Sequence, residues 1–239
     1  MENSLKYKPE FFELINQLTS IDDKIIIESR DGVTQVRRQN SEKTAAYILK
    51  VPNEYFGIEQ DIGFYKFSEF YRFFRTFQEP FVKIDTNKII ISKDRARVSY
   101  LLNDTSRMKT GPNGINFSNP DYSFELPAES LLEIVKMHTL IKNSKHSEIT
   151  CLGEKVNIKV FMEGTDNTFD KTFDAKPFTG EFMENPLQIK IFSKCFMMLP
   201  PRKNYVVSIK KPGFVEFKLK DENIDLGIYT SMIKKRAGR

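Results

Sequence analysis

The side chains that could do acid–base, nucleophilic or metal chemistry are few in this chain. Its two histidines are His138 and His146, and its two cysteines are Cys151 and Cys195. His138 falls on an apolar helical stripe, which is typical of a core histidine, and neither histidine has metal-ligand spacing to the other or to a cysteine. No phosphate-binding glycine loop and no nucleophile elbow occurs in the sequence. The sequence therefore predicts a protein that is not an enzyme and that uses no metal or cofactor.

A run of acidic residues from Glu163 to Glu184 is the remaining candidate for a cation site. It holds Asp166, Asp170 and Asp174 at a regular spacing. A calcium-binding loop needs a different spacing of its oxygen ligands and a central glycine. We therefore interpret this run as a solvated edge strand with loops.

Composition favours an intracellular globular protein with an anionic partner. The chain has 239 residues, a net charge of +5 and two cysteines, which argues against a disulfide framework and for a reducing compartment. No apolar run reaches the ~18 residues of a membrane span, and the first residues lack the apolar region of a signal peptide. We expect a cytoplasmic protein, in the host cytoplasm if it is viral, with no membrane partner. The positive net charge mildly favours nucleic acid as the partner.

Apolar spacing predicts four short helices, each with one apolar stripe. The stripes consist of Phe11, Leu14, Ile15, Leu18 and Ile21; Phe67, Phe70, Phe73, Phe74 and Phe77; Leu131, Ile134, Val135, His138 and Ile141; and Phe192, Cys195, Phe196 and Leu199. Cations on the outward faces or at the helix ends are Lys6, Lys8, Lys66, Arg72, Arg75, Lys136, Lys142, Lys145, Lys194, Arg202 and Lys203. A single solvated cation usually contributes only to solubility, so the argument for an anionic partner rests on the whole set.

The order of the predicted elements runs twice along the chain, which indicates two copies of one structural unit. Strands are predicted over 24–28, 33–38, 81–85, 88–92, 96–102, 148–151, 156–162, 205–210, 214–220 and 224–229. Each half begins with a helix and continues with strands, a second short helix and three closing strands. A chain of this length suits either one large β domain or two domains of ordinary size. The doubled order favours an α+β fold of two similar domains with helices packed on antiparallel sheets, over 1–106 and 123–239, on either side of a polar stretch over 107–122.

The order of the predicted elements and some short stretches of sequence resemble those of a known family. The most specific stretches are Ile62–Phe70 leading into the strand 88–92, then Phe124–Ile141, then Phe192–Tyr229 with its Met-Met-Leu-Pro sequence. Through these stretches, from about residue 8 to 230, the chain resembles the sliding DNA clamps of T-even-type bacteriophages. Those proteins are the processivity factors of replicative DNA polymerases.

The resemblance implies the DNA clamp fold, with the polar stretch over 107–122 as the connector between the two domains. It also implies a ring-shaped homotrimer and short helices that line a hole around duplex DNA. It implies non-specific binding of double-stranded DNA, a tethered DNA polymerase and an ATP-driven clamp loader. All the outward cations named above then become candidate contacts to DNA phosphates. The resemblance also implies an apolar pocket for the tails of partner proteins, for which the candidates are Ile115, Phe117, Ile228 and Tyr229.

Two features depart from the family, and two other functions stay open. Such clamps are usually acidic overall, whereas this chain is net basic, and its tail over 232–239 is basic and expected to be disordered. One alternative is a monomeric basic protein that binds single-stranded nucleic acid by stacking its aromatic rings on bases. The other is a virion structural protein of β type, for which the basic charge is incidental.

Overall fold

The computed structural model describes residues 5–115, 117–177, 186–211 and 213–233, and it divides the chain into two units. The first unit consists of the chain up to Gly114 together with Asp221–Leu226, and the second of Ile115–Lys220 with the chain from Gly227 onward. Each unit follows the same plan of a helix, antiparallel strands, a second short helix and closing strands. The predicted α+β class with two similar halves is confirmed.

The first unit has two α-helices and seven strands in the described part of the chain. In chain order they are α1 (Pro9–Leu18), β1 (Ile25–Arg30), β2 (Val33–Gln39), β3 (Ala45–Pro52), β4 (Ile62–Phe64), α2 (Phe67–Arg75), β5 (Phe81–Asp85), β6 (Lys88–Lys93) and β7 (Ala96–Leu101). The antiparallel order β3-β2-β1-β4 makes one sheet and β5-β6-β7 makes another. Short turns fit this order, since Asp31 and Gly32 both take the positive φ that a tight hairpin needs.

An aromatic cluster forms the core where the two helices of the first unit meet. The Phe12 ring of α1 lies 4.8 Å from Phe74 and 5.5 Å from Phe70, both on α2. Phe64 of β4 lies 4.8 Å from the same Phe70 ring. Edge and tilted ring contacts at these distances add to the free energy gained from burying apolar area. The cluster therefore fixes α1 and α2 against each other and against β4.

The predicted stripe of the second helix is partly wrong. Phe67, Phe70 and Phe74 are buried as expected, but Tyr71 completes the stripe, because 67, 70, 71 and 74 follow the spacing i, i+3, i+4, i+7. Phe73 falls outside that spacing and is 38% exposed. Phe77 lies beyond Arg75, where the helix ends.

The second unit repeats the plan with two helices and eight strands among the described residues. They are β8 (Tyr122–Leu126), α3 (Ala128–Leu140), β9 (His146–Leu152), β10 (Lys155–Phe161), β11 (Thr168–Pro177), β12 (Leu187–Phe192), α4 (Lys194–Met198), β13 (Tyr205–Lys210), β14 (Phe214–Leu219) and β15 (Asp225–Ser231). Their antiparallel order is β12-β9-β10-β11-β8-β13-β14-β15. Helix α3 contacts α4, β10 and β11, and Phe196 of α4 lies 5.6 Å from Phe217 of β14.

The fourth predicted helix starts two residues later than its stripe suggested. Phe192 belongs to the end of β12 and is 38% exposed, so it is not part of the helical stripe. Cys195, Phe196 and Leu199 are buried as predicted. On α3, Leu131, Ile134 and His138 are buried, whereas Val135 and Ile141 are half-buried at the margin of the stripe. All five stripe residues predicted for the first helix are buried, although Ile21 lies beyond the end of the helix at Leu18, and Phe12 is buried with them.

The located strands agree with the prediction to within about two residues at each end. The sequence prediction did not locate β3, β4, β8 and β12. Residues 168–177 of the acidic run form β11, which lies between β10 and β8 in the sheet order. Its Thr168–Asp174 part pairs with β10 and its Ala175–Pro177 part pairs with β8, so the predicted edge strand is not one along its whole length. Residues 178–184 of that run and the tail from 234 lie outside the described residues. No helix in the described ranges is long and apolar enough to cross a membrane.

Candidate nucleic-acid interface

Helix α2 carries the strongest group of outward cations. Arg72 and Arg75 lie one turn apart and are exposed, and Lys66 is exposed just before the helix. Asp23 fixes the start of the helix, because its carboxylate accepts hydrogen bonds from the Ser68 amide at 2.8 Å and from the Ser68 hydroxyl at 2.7 Å. None of the three cations forms an ion pair with a described residue. Their charge is therefore available to an anionic ligand.

The start of α1 contributes less than its sequence suggested. Lys6 is exposed, but the Lys8 ammonium donates to a Glu54 carboxylate oxygen at 2.7 Å and lies 3.8 Å from the centre of the Tyr55 ring. The hydrogen bond to Glu54 raises the pKa of Lys8. Lys8 is thus engaged within the unit, and Glu13 is exposed on the same helix.

In the second unit, exposed cations lie on α3 and in the loop after it. Lys136 points outward on a face that also carries Glu129 and Glu133, and Glu133 accepts a hydrogen bond from Lys171 at 2.6 Å. Lys142 and Lys145 are both exposed beyond the end of the helix. The basic character of this region therefore comes mainly from the loop rather than from the helix face.

The fourth helix adds a small cationic and apolar surface. Lys194 is its first residue and is exposed, and Met197 is exposed one turn later. Arg202 is exposed in a turn with a φ of 61°, whereas Lys203 is half-buried. Of the predicted cations, Lys8 and Lys203 are thus the least accessible.

The outward cations suit a sequence-independent contact with phosphates. They sit on short helices and in the loops beside them in both units. Among the described residues, no helix presents the Asn, Gln and Arg arrangement that reads base edges in the major groove. Stacking on bases would need exposed rings, but Phe67, Phe70 and Phe74 of α2 are buried in the core, and of the rings on this helix only Phe73 is exposed, at 38%.

Two of the four predicted pocket residues are in contact. The Phe117 ring lies 6.2 Å from the ring of Tyr229, and a side chain at Gly227 would collide with the Tyr229 hydroxyl at 2.6 Å. Ile228 is 1% exposed and, as the neighbour of Tyr229 in a strand, points to the opposite face. Ile115 is half-buried. The structure therefore brings Phe117 and Tyr229 together and separates Ile228 from them.

The sequence prediction missed the residues that hold 103–113 against the first unit. Gly63 of β4 allows residues 103–108 to pack closely, because a Cβ there would lie 2.7 Å from the Met108 sulfur and 2.8 Å from the Asn103 carbonyl oxygen. Gly111 allows a similar approach to β2, where its amide donates to the Arg37 carbonyl at 3.0 Å. The glycines were the available signal, since close backbone approach is a common reason for glycine.

Two buried arginines complete this attachment. Arg37 donates two hydrogen bonds of 2.9 Å to the Glu28 carboxylate and a third to the Asn113 side chain. Arg38 donates to the Lys109 carbonyl and to the Asp22 carboxylate. Residues 103–113 are thus fixed to the first unit rather than forming a free linker.

The groups able to do acid–base chemistry have structural surroundings. Burial raises the pKa of the Cys151 thiol to about 12 and that of Cys195 to about 11, so neither is a thiolate at neutral pH. Burial lowers the pKa of His138 to about 4. Within the ranges that the structure describes, no three His, Cys, Asp or Glu side chains converge on a possible metal position.

Solved structures share this fold along nearly the whole chain. A PCNA from A. fulgidus bound to the C-terminal region of FEN-1 matches with a TM-score of 0.72 at 11% identity, covering 98% of this chain and 99% of that one. Proliferating cellular nuclear antigen from Entamoeba histolytica matches with a TM-score of 0.73 at 13% identity, covering 97% and 98%. A PCNA2–PCNA3 complex from Sulfolobus tokodaii matches with a TM-score of 0.72 at 10% identity, covering 96% and 98%. Neither a family model nor a curated relative matches the chain in sequence. The predicted clamp fold is thereby confirmed.

Proposed function

We propose that this protein is a sliding clamp that encircles duplex DNA and tethers a replicative DNA polymerase. The observation that carries the proposal is the likeness to PCNA structures over 96–98% of the chain. Exposed cations on short helices in both units agree with it. The chain then acts as a binding scaffold and catalyses no reaction of its own.

The mechanism depends on topology rather than on tight contacts. A closed ring stays on DNA because the duplex cannot leave it sideways, so each contact can be weak. Lys66, Arg72, Arg75, Lys142 and Lys145 supply a phosphate attraction that depends on salt and not on sequence, which permits sliding. A polymerase held by the ring remains near the primer end at high effective concentration.

Edge strands support self-association into a closed ring. In the described residues, β7 pairs only with β6, and Thr168–Asp174 of β11 pairs only with β10. Such edges are open to strand addition by another chain. Arg95 and Arg97 are exposed in and beside β7, and Asp170 is exposed on β11, so the two edges carry opposite charge. Pairing β7 of one copy with β11 of the next gives a head-to-tail contact, and a homotrimer closes such contacts into a ring.

Charge reversal tests this assembly. We expect light scattering to give the mass of three chains for the wild type and a lower mass for Arg95→Glu with Arg97→Glu. Reversal of Asp166 and Asp170 to lysine should have the same effect, and a chain with all four changes should recover the trimer. A dimer at all concentrations, or no recovery in the combined variant, would count against this interface.

Retention on DNA tests the clamp function itself. Once loaded, the protein should stay on nicked circular DNA and leave linear DNA through its ends. The slope of log affinity against log salt concentration is negative, and each phosphate contact adds about 0.9 to its magnitude. We expect Arg72→Glu with Arg75→Glu to make this slope shallower by about 2. Lys50→Glu with Lys159→Glu, on strands β3 and β10, makes the same change in net charge and serves as the control. Equal retention on both DNA forms would refute the clamp.

The partner site and the source are separate inferences. One PCNA of the same fold is bound to the C-terminal region of FEN-1, and we infer that Phe117 and Tyr229 contribute to a comparable site for polymerase and loader tails. Tyr229→Ala should then lower the length of DNA made per binding event without lowering retention on circular DNA. The T-even-type phage origin and the host cytoplasm as the place of action stay predictions from the sequence.

A further inference from the structure

A cleft of about 810 Å³ opens at one end of the β3-β2-β1-β4 sheet. Lys24 lies there at the start of β1, Arg38 at the end of β2 and Tyr65 just after β4, and residues 101–104 and 107–110 form the opposite wall. We call it the sheet-end cleft. Its volume falls within the ~300–1,000 Å³ that is usual for ligand sites. All of its lining residues belong to the first unit.

The sheet-end cleft is strongly positive. It is lined by five cationic side chains and two acidic ones: Lys24, Arg38, Lys43, Arg107 and Lys109, against Asp22 and Asp104. Both carboxylates are already engaged, Asp22 with Arg38 and Asp104 with Arg107 at 3.5 Å. Lys43 and Lys109 are exposed and form no ion pair with a described residue. Their unbalanced charge favours an anionic occupant.

Lys43 is held on a rigid turn at the edge of this cleft. It takes a φ of 57°, and its amide donates to the Asn40 carbonyl at 3.0 Å. The Asn40 side chain accepts hydrogen bonds from the amides of Thr44 at 2.8 Å and Ala45 at 3.1 Å. A non-glycine residue in the left-handed region is uncommon and needs such support. The turn thus fixes the backbone from which the Lys43 side chain extends before any ligand binds, so this part of the site needs no ordering on binding.

The opposite wall is equally fixed. Gly63 and Gly111 seat residues 103–113 against β4 and β2, and Arg38 holds the Lys109 carbonyl. The wall offers apolar surface from Leu102 and Met108 beside its cations. A preformed cleft with both kinds of surface suits a chain that carries carboxylates and apolar side chains together.

We propose that the sheet-end cleft binds an acidic peptide segment of a partner protein. An extended peptide can enter a cleft of this volume and place carboxylates beside Lys43 and Lys109 while apolar side chains reach Leu102 and Met108. A DNA duplex is too wide to enter it and offers no apolar side chains to the walls. None of its cations belongs to the set proposed above for DNA, so the proposal does not rest on the clamp function.

Fluorescence anisotropy with labelled peptides tests the proposal on the full-length protein. The probe is a panel of 12-residue peptides with four fixed glutamates and variable apolar positions, and the comparison panel has lysine at those four positions. We expect saturable binding of members of the acidic panel and at least tenfold weaker binding of them by Lys43→Glu with Lys109→Glu. The matched control, Lys142→Glu with Lys145→Glu, makes the same charge change in the second unit and should keep peptide affinity.

Each outcome decides the question. Binding of no acidic peptide, equal binding of the lysine panel, or equal loss in both double variants would overturn the proposal. If duplex DNA displaces the peptide, and Lys43→Glu with Lys109→Glu lowers the affinity for DNA rather than for peptide, the cleft belongs to the nucleic-acid surface and the proposal is wrong. Hydrogen exchange gives a second readout, since bound peptide should protect amides in 107–111 and in the turn 40–45.

Discussion

Acidification should destabilise the second unit through one buried histidine. The His138 ring lies between two hydroxyls, with Nδ1 3.1 Å from Ser144 Oγ and Nε2 3.0 Å from Ser147 Oγ, and it stacks on Phe196 at 5.9 Å. Neutral imidazole suits this site, because one nitrogen donates and the other accepts. The imidazolium would have to be formed in a buried, apolar place, and burial alone lowers the pKa of His138 to about 4.

The direction and size of the effect follow from the two protonation equilibria. The folded state holds fewer protons than the unfolded state, in which this histidine has its ordinary pKa near 6.5. Above pH ~7, His138 is neutral in both states and its protonation takes nothing from the free energy of unfolding. As the pH drops from about 6.5 towards 4, the unfolded state gains a proton that the folded state does not, and the free energy of unfolding falls. Each pKa unit corresponds to about 1.4 kcal/mol, so the loss reaches about 2 kcal/mol at pH 5 and about 3 kcal/mol at pH 4.

Comparison with a variant that cannot titrate isolates this contribution. Urea unfolding of the wild type and His138→Gln, measured from pH 7.5 to pH 4.5 with hydrogen exchange in α3 and β9, gives the difference in unfolding free energy. All other ionisable groups are common to both proteins, so their contributions cancel in the difference. We expect the wild type to lose its advantage over the variant as the pH falls. Parallel pH dependence in the two proteins would refute the reasoning.

Two further substitutions probe the attachment of residues 103–113. Glu28→Gln should lower the free energy of unfolding in urea by roughly 3 kcal/mol, because it leaves the buried Arg37 guanidinium without its counter-charge. Adding Arg37→Met should recover part of that loss, and no recovery would contradict this account. Gly111→Ala should speed hydrogen exchange over 108–113, since its Cβ would meet the Arg38 amide nitrogen at 2.7 Å. Gly114→Ala meets nothing within 4 Å and is the control; equal exchange in both variants would show that the close approach is not needed.

Much of the fold could be predicted because its signals are local. Strands such as Phe81–Asp85 and Tyr205–Lys210 match the prediction at both ends, since β-branched runs bounded by turn residues specify them. The prediction of the buried stripe failed where two neighbouring positions of a helix both carry aromatic rings. In a helix as rich in phenylalanine as α2, composition does not distinguish Phe73 from Tyr71, and only the stripe that faces α1 and β4 decides which ring is buried.

The attachment of residues 103–113 to the first unit could not be predicted, because it depends on contacts between distant parts of the chain. From the sequence alone, Arg37 and Arg38 are expected to be solvated cations of a strand. The structure instead pairs Arg37 with Glu28 and Arg38 with the Lys109 carbonyl. Strand β4 is three residues long and has no periodicity of its own. Its position is set by pairing with β1 and by the glycine that admits Met108.

The distribution of charge bears on the difference between this chain and the usual acidic clamps. Cations that contact a sliding duplex make weak, interchangeable contacts with phosphates. No spacing in the sequence therefore identifies them, and any outward lysine is a candidate. Lys43 and Lys109 are different, because the structure fixes the segments that carry them. If both assignments hold, part of the net charge of +5 serves a protein partner rather than DNA. Raising the salt concentration should then weaken peptide binding and DNA binding independently, and each double variant should change only one of the two salt slopes.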